Sequence, residues 1–298
     1  MKLNFSNPSV WFVAFILVIG ASCLGISPIF VRLSEIGPFS TAFWRSALAI
    51  PLIFVFFKIT IKDIKESLDH HILVLFLPGF FLGIDHAAWH HGIMLTSVAN
   101  ATLFACMAPI FVVLYGFILF SWRVSYKYLF SLLIVIIGSA ILLFNSLELS
   151  FSNFIGDIWS LFAGACYGAY LISTGIMRDK KVKINLIIFY STLSSAFTLF
   201  VITFFSGETY IPLTLNGWII IFLIALISQV IGIGLITWAL GKVKTSLASL
   251  TLMSEPLAAT LAASIILFEF INLNQIIGGI IIVLGIIFAQ NNSDLKRN

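Results

Sequence analysis

Three charged side chains lie within long apolar segments of the sequence: Arg45, Asp85 and Glu255. A charge surrounded by hydrocarbon is energetically costly, so each should face a polar interior, where such groups bind substrates, carry protons or pair. At about 1.5 Å of rise per helical residue, Arg45 and Asp85 lie roughly 10 and 12 Å from the same end of their segments. They can therefore pair, either as a static brace or as a gate that opens when Asp85 changes partner or protonation.

The densest polar patch in any apolar segment runs from Asp85 to His91. On a helix, Asp85 lies one turn from Trp89, and His86 lies one turn from His90. An anion beside an aromatic ring suits a cationic or aromatic amine, whereas two histidines at this spacing occur in helical zinc sites. Two histidines alone are too few for a metal site, so no metal-binding residues are predicted.

Glu255 directly precedes Pro256 near the middle of a late apolar segment, and Pro109 occupies the corresponding place in an earlier one. A proline removes a helical hydrogen bond, so both helices should kink around a shared cavity, as fixed bends or as hinges. Glu255 is predicted to bind substrate or to couple protons, and a neutral packing role is the alternative. Asn100 is predicted either to bridge helices by hydrogen bonds or to contact substrate.

The elements that must position these side chains are apolar helices. Hydrophobic residues make up 60% of the 298 residues and charged residues 9%, and the mean hydropathy is +1.12. Such a chain has too little polar surface for a soluble globule. Its apolar segments are continuous, without the alternation of membrane barrel strands, so the predicted fold class is an all-α polytopic membrane protein. Segments of about 20 residues give ten predicted transmembrane helices: Val10–Val31, Phe39–Phe57, Ile72–Ile93, Val98–Phe120, Tyr128–Phe144, Ile155–Met177, Ile184–Phe205, Leu215–Leu240, Ser246–Phe268 and Ile276–Ala289.

The basic residues predict the orientation of these helices. Fourteen of the 16 Lys and Arg residues fall in alternate loops or at the chain ends, all on one side; Arg32 falls in an opposite loop and Arg45 within a helix. The excess of Lys and Arg in cytoplasmic loops places both termini in the cytoplasm. The net charge of +4 is spread over several short loops, so it reflects topology and does not indicate binding of nucleic acid.

The sequence also repeats itself. The segment Ala101–Leu103 and Pro109 recur 147 residues later as Ala248–Leu250 and Pro256. Two halves of five predicted helices follow, and because five is odd, the second half should cross the membrane in the opposite direction. Inverted repeats are typical of secondary transporters whose central site opens to either side in turn. A purely structural duplication is the alternative.

The stretch Thr96–Leu103, followed by Ala108–Phe111, is matched in the second half by Ser254–Pro256. These motifs resemble the EamA family of the drug/metabolite transporter (DMT) superfamily, although the Gly-Glu pair that often ends the ninth helix in relatives is Phe268-Glu269 here. The resemblance covers about residues 12–145 and 156–291 and implies one five-helix repeat in each. It also implies a bacterial inner-membrane protein that moves small organic molecules, usually outward, without hydrolysing ATP.

The predicted function is therefore a secondary transporter that exports a small metabolite or drug-like compound by alternating access. No phosphate-binding G-x-x-x-x-G-K-[ST] motif occurs, so coupling to protons or another ion, or facilitated diffusion, is expected. Uptake is the alternative direction. A metal transporter or a membrane-embedded enzyme would need ligands or catalytic partners that the histidine cluster does not supply. The predicted partners are the small substrate, a coupling ion such as the proton and the lipid bilayer, with no cofactor and no catalytic residue.

Overall fold

The computed structural model describes residues 8–60, 72–144, 151, 153–266 and 270–291. Regular structure in these residues is helical throughout, and no strand occurs among them. The predicted all-α fold class is therefore confirmed. Some residues on which the sequence predictions depend lie outside the described residues. They are the pair Phe268-Glu269 of the family motif and five basic residues counted for the orientation, namely Lys2, Lys62, Lys65, Lys296 and Arg297.

Fourteen α-helices are defined in the described residues, numbered in chain order: α1 Val10–Gly25, α2 Ser27–Leu33, α3 Pro38–Phe56, α4 Ile72–Leu95, α5 Val98–Ala105, α6 Ala108–Phe120, α7 Tyr126–Leu143, α8 Phe154–Asp179, α9 Ile184–Ser206, α10 Leu215–Ile224, α11 Ile233–Leu240, α12 Thr245–Leu252, α13 Glu255–Ile266 and α14 Leu273–Asn291. A π-helical segment, Ala225–Gly232, joins α10 to α11.

Eight helical stretches of the described residues are long and apolar enough to cross a membrane: Val10–Leu33, Pro38–Phe56, Val98–Phe120, Tyr126–Leu143, Phe154–Asp179, Ile184–Ser206, Leu215–Leu240 and Leu273–Asn291. They support a multi-pass membrane protein. The other two predicted spans coincide with helices outside this set, namely α4 and the pair α12 and α13. The total of ten spans stays a prediction.

The helical path is interrupted at equivalent places in the two halves. Helix α5 ends at Ala105, and α6 begins at Ala108 with Pro109 in its first turn. Likewise, α12 ends at Leu252, and α13 begins at Glu255 with Pro256 in its first turn. Proline suits the first turn of a helix because its missing N–H would have no helical partner there. Each proline thus starts a new helix after a two-residue break, and a hinge role for the prolines stays a prediction.

Two glycine-containing helices pack closely behind these breaks. A Cβ atom at Gly164 of α8 would lie 2.8 Å from the carbonyl oxygen of Ala105, and one at Gly25 of α1 would lie 2.8 Å from that of Glu255. Only a residue without a side chain allows two backbones to approach this closely. Helices α8 and α1 therefore hold the broken ends near the centre of the bundle.

The outward faces of the helices are apolar. Phe117, Phe154, Phe204 and Leu284 are each more than half exposed. Hydroxyl groups point inward instead, as in the hydrogen bond of 3.1 Å between the Ser46 and Ser195 side chains. An apolar exterior of this extent would not remain solvated in water, so it fits a lipid bilayer as its surroundings.

Candidate functional site

A cavity lies between the two helix breaks, and residues of both halves line it. Five of the six residues predicted to bind substrate or couple ions reach this cavity: Arg45, Asp85, His86, Trp89 and Glu255. Pro109 also lines it, whereas Asn100 and Pro256 are not among its lining residues. Side chains separated by more than 200 positions in the sequence thus share one chamber, in which charged and polar groups lie among apolar side chains.

Arg45 is the only Lys or Arg among the described residues that line the cavity, and it is 2% exposed. Its Nε atom donates to Oε1 of Gln229 at 3.3 Å, and its Nη1 atom donates to Oγ of Ser27 at 3.2 Å. Ser27 begins α2, and Gln229 lies in the π-helical segment, so neutral acceptors from both halves fix the guanidinium group.

The direct pair between Arg45 and Asp85 that the sequence suggested is not formed among the described residues. Gln229 and Ser27 already engage two of the guanidinium nitrogen atoms. The charges of Asp85 and Glu255 act on Arg45 only at longer range. One buried cation therefore sits opposite two carboxyl groups without being neutralised by contact, an arrangement that leaves its remaining donors for a ligand.

The histidines of α4 separate into two environments. His86 lies in the cavity with its Nε2 atom 3.9 Å from Oδ2 of Asp85, too far for a hydrogen bond. His90, one turn later, has its ring centroid 6.2 Å from that of His86. The Nδ1 atom of His90 lies 3.2 Å from the carbonyl oxygen of Pro38. Within the described residues, no group of three or more His, Cys, Asp or Glu side chains could hold a metal ion.

Three polar atoms at the cavity wall are buried and have no hydrogen-bond partner among the described residues: Nδ1 of His86, Nε1 of Trp89 and the hydroxyl of Tyr167. An unsatisfied buried polar group costs about 1–3 kcal/mol, so a ligand that completes these bonds binds favourably. Sequence reasoning missed Tyr167. Its signal is a hydroxyl in the middle of an apolar span, too far from either interface to reach water.

Glu255 is the first residue of α13 and lines the cavity from the second half. The unpaired N–H groups at a helix start carry a partial positive charge, which favours an anion there. Because the chain breaks before α13, Glu255 begins a new helix with its residue at the cavity wall. In a continuous helix, the direction of its side chain would instead follow from the rotation of the preceding residues.

Asn100 bridges helices away from the cavity. Its Nδ2 atom donates to Oδ1 of Asp157 at 3.0 Å, and Oγ1 of Thr96 donates to the same oxygen at 2.7 Å. These bonds tie the start of α5 to the first turn of α8. Nearby, Nη2 of Arg32 donates to the carbonyl oxygens of Ile93 and Thr96 at 2.8 and 2.9 Å. The hydrogen bonds of Asn100 thus fit the first of its two predicted roles, which is to bridge helices. Its other predicted role, contact with substrate, stays a prediction.

Replacing Tyr167 with phenylalanine should not lower the stability of the fold, because its hydroxyl has no hydrogen-bond partner to lose among the described residues. Tyr170 provides the matched control, since its hydroxyl lies 3.2 Å from Oγ1 of Thr237. Tyr170→Phe should lower the free energy of unfolding by about 1 kcal/mol, or roughly 2–4 °C in melting temperature. Thermal denaturation of both variants in detergent measures the difference. Equal destabilisation by the two would mean that Tyr167 has a structural partner.

Comparison with known proteins adds the family. The sequence model of the EamA-like transporter family matches residues 11–144 and again residues 154–290. An uncharacterized transporter of Archaeoglobus fulgidus is 25% identical over 273 residues, which span 92% of this chain and 94% of that protein. An uncharacterized transporter of Clostridium kluyveri is 21% identical over 266 residues, with 82% of each chain covered.

The fold recurs in a protein of known crystal structure. The two superimpose with a TM-score of 0.71 over 95% of this chain and 97% of that one, at 16% sequence identity. At this identity the likeness is one of fold alone. The family match, in contrast, extends over almost the whole chain in two copies and confirms the resemblance read from the sequence motifs. The chain belongs to the EamA-like transporter family, part of the drug/metabolite transporter superfamily.

Proposed function

We propose that the protein is a secondary transporter that exports a small organic metabolite across a bacterial inner membrane by alternating access. The observation that carries this proposal is the central cavity. It contains a guanidinium group that no carboxylate contacts among the described residues, two carboxyl groups, and three buried hydrogen-bonding atoms that have no partner among those residues, all inside a bundle with an apolar exterior. Charged groups within membrane-spanning segments are costly, so they are rare and commonly mark the path of a substrate or an ion.

The cavity wall supports an inverted repeat of two five-helix units, residues 12–145 and 156–291, with ten transmembrane helices in total. Positions 105, 106 and 108 line the cavity, and so do positions 252, 253 and 255, which follow them by the repeat offset of 147. Both helix breaks therefore present equivalent positions to one chamber. Paired breaks of this kind occur at the substrate sites of transporters with inverted repeats.

The contacts between helices also correspond between the two halves. Helix α8 packs on α4, α5 and α6, just as α1 packs on α11, α12 and α13, while α7 packs on α14. When the ten proposed spans are numbered in chain order, each of these contacts has a counterpart between the two spans that lie five places away. The contact of spans 3 and 6, for example, corresponds to that of spans 8 and 1. Two units related in this way have two equivalent ways to pack, which provides the outward-open and inward-open forms of an alternating-access carrier.

Both termini are proposed to be cytoplasmic, and the distribution of Lys and Arg supports this orientation. The loop between α11 and α12 carries Lys242 and Lys244, whereas its counterpart between α4 and α5 carries neither Lys nor Arg. Reporter domains fused separately to the two ends test the topology. Reporters on opposite sides of the membrane would contradict an even number of spans, and with it the inverted five-helix repeat.

Transport itself is tested by comparing metabolites inside and outside bacterial cells that produce the protein with those of cells that carry an empty vector. We expect one compound, or a small group of related ones, to accumulate in the medium. That compound should then cross the membrane of proteoliposomes without ATP. Accumulation inside the cells would reverse the proposed direction, and identical metabolite distributions would reject the transport function.

Asp85→Asn tests the coupling role of this side chain. The carboxyl group lines the cavity, interacts electrostatically with Arg45 and has no hydrogen bond among the described residues, so its loss should alter turnover more than folding. We expect transport in proteoliposomes to fall about tenfold and to lose part of its dependence on pH. An unchanged rate with an unchanged pH dependence would remove Asp85 from the mechanism.

A further inference from the structure

Two glutamates at one end of the bundle reach across from one half of the chain to the other. Glu208 follows α9 and accepts hydrogen bonds from the backbone N–H groups of Phe39 and Ser40, at 3.4 and 2.8 Å. These N–H groups belong to the first turn of α3. Helix α3 has Gly37 as its N-cap, without a capping side chain, and Pro38 as its first residue. A carboxylate from the second half therefore caps a helix of the first half.

Glu35 makes the reverse connection. It lies between α2 and α3 and accepts bonds from the backbone N–H groups of Leu213 and Thr214 at 3.2 and 3.1 Å. It also accepts one from the Thr214 hydroxyl at 2.8 Å. Thr214 is the N-cap of α10. A carboxylate of the first half thus binds the start of a helix of the second half, and the two contacts form a reciprocal pair.

Local backbone geometry and a neighbouring contact support this pair. Gly207, the C-cap of α9, has a φ of 72°. Glycine adopts this left-handed conformation without strain, and the chain therefore turns immediately before Glu208. Trp44 of α3 donates its indole N–H to the carbonyl oxygen of Tyr210 and packs edge-on against Trp218, with ring centroids 5.1 Å apart. All these contacts join the α2–α3 loop and α3 to the α9–α10 loop and α10.

We propose that Glu35, Glu208 and the two helix starts they bind form an outer clasp that holds the carrier closed on its external side and that releases when the cavity opens outward. The distribution of Lys and Arg assigns both loops to the outside. The clasp rests on the proposed transport function, because a closed external end matters only for a chamber that opens to each side in turn.

The chemistry of the clasp suits reversible closure. Hydrogen bonds from Thr214 hold the pKa of Glu35 below its usual value, so the group is an anion at neutral pH and its bonds are charge-assisted. Glu35 is nevertheless exposed, and Glu208 is only half-buried, so water can replace the helix N–H groups at either carboxylate. Contacts of this kind are strong enough to bias two conformations and weak enough to exchange within a transport cycle.

The clasp is tested by access of a reagent to the cavity from outside. Cys106 lines the cavity and becomes the single reporter thiol after Cys23→Ala and Cys166→Ala. Intact cells are treated with a membrane-impermeant methanethiosulfonate, and the rate of Cys106 modification is measured for Glu35→Gln, Glu208→Gln and the double variant. Asp179→Asn is the control variant. It also changes a carboxylate to an amide, but at the end of α8, on the predicted cytoplasmic side.

We expect each single Gln variant to raise the modification rate about tenfold, because a neutral amide makes weaker bonds to the helix N–H groups. The double variant should raise it further, and Asp179→Asn should not change it. If a Gln variant does not accumulate in folded form, Glu35→Asp and Glu208→Asp, which keep the charge but shorten the side chain, replace it. Equal rates for all variants, or acceleration only when the reagent reaches the cytoplasmic face of inverted vesicles, would overturn the outer clasp.

The labelling measurement needs no substrate, so it separates the clasp from the transport function. Faster labelling without any transported compound would keep the contacts that close the external end and reject the transport cycle in which they are proposed to release. A transported compound together with unchanged labelling would keep the transporter and reject the clasp.

Discussion

Arg45→Gln is expected to reduce transport by about 10- to 100-fold, because a hydrogen bond to a charged group contributes about 1.5–3 kcal/mol. Arg45 is the only Lys or Arg among the described cavity-lining residues. Glutamine places an amide nitrogen at the level of Nε, so it can still donate to Gln229, but it lacks the charge and the planar fork and ends short of the Nη1 position that donates to Ser27. Initial rates in proteoliposomes, using the compound identified by the metabolite comparison, measure the loss.

Arg45→Lys is the control that keeps the charge. A lysine ammonium group cannot reproduce the fork of donors that a guanidinium group offers, so its rate should lie between those of the wild type and Arg45→Gln. The melting temperatures of both variants in detergent show whether folding is affected. Transport by Arg45→Gln at the wild-type rate would exclude Arg45 from substrate binding and leave it a structural role between α3, α2 and the π-helical segment.

Gly278→Ala is expected to destabilise the protein by about 3 kcal/mol, or roughly 6–10 °C in melting temperature. Gly278 of α14 faces α7, and a Cβ atom there would overlap the backbone nitrogen of Leu142 and lie 2.6 Å from the carbonyl oxygen of Gly138. Backbone atoms within a helix cannot rotate away as a side chain can. The two helices would have to separate along their interface, and thermal denaturation in detergent measures the cost.

The neighbouring Gly279 is the matched control. The nearest atom to a Cβ there is Cδ1 of Leu257, at 2.9 Å, which is the end of a flexible side chain. Gly279→Ala should therefore keep or slightly raise the stability, since alanine favours a helix by about 1 kcal/mol over glycine. Similar losses in both variants would show that close backbone contact is not what makes Gly278 necessary.

The sequence anticipated much of the architecture. Continuous apolar segments predicted helices whose observed bounds differ by a few residues, as for Val98–Phe120, where the two ends agree and only the break after Ala105 was read as a kink. Gly138 and Gly285 are likewise separated by the repeat offset of 147, and both lie at the interface of α7 and α14. Periodicity and hydropathy are properties of short stretches of chain, so they can be read without knowing the neighbours.

The sequence marked several of the residues that line the candidate cavity, and it gave their contacts less well. Charge in an apolar segment marked Arg45, Asp85 and Glu255, and all three reach the cavity. The same reasoning allowed Arg45 to pair with Asp85, whereas the hydrogen-bond partners of Arg45 are Gln229 and Ser27. Equal depth in the membrane is necessary for a pair but not sufficient, because rotation of each helix about its axis decides which side chains meet.

The sequence by itself determined the helical class, the membrane setting and the family, because hydrophobic length, charge distribution and motif order are all local or additive along the chain. Tertiary structure alone decided that Tyr167 joins the cavity, that Asn100 bridges to Asp157 instead, and that Glu35 and Glu208 each bind a helix start in the opposite half. Such contacts join residues as many as 179 positions apart. They depend on the rotation and close approach of packed helices, which no single segment encodes.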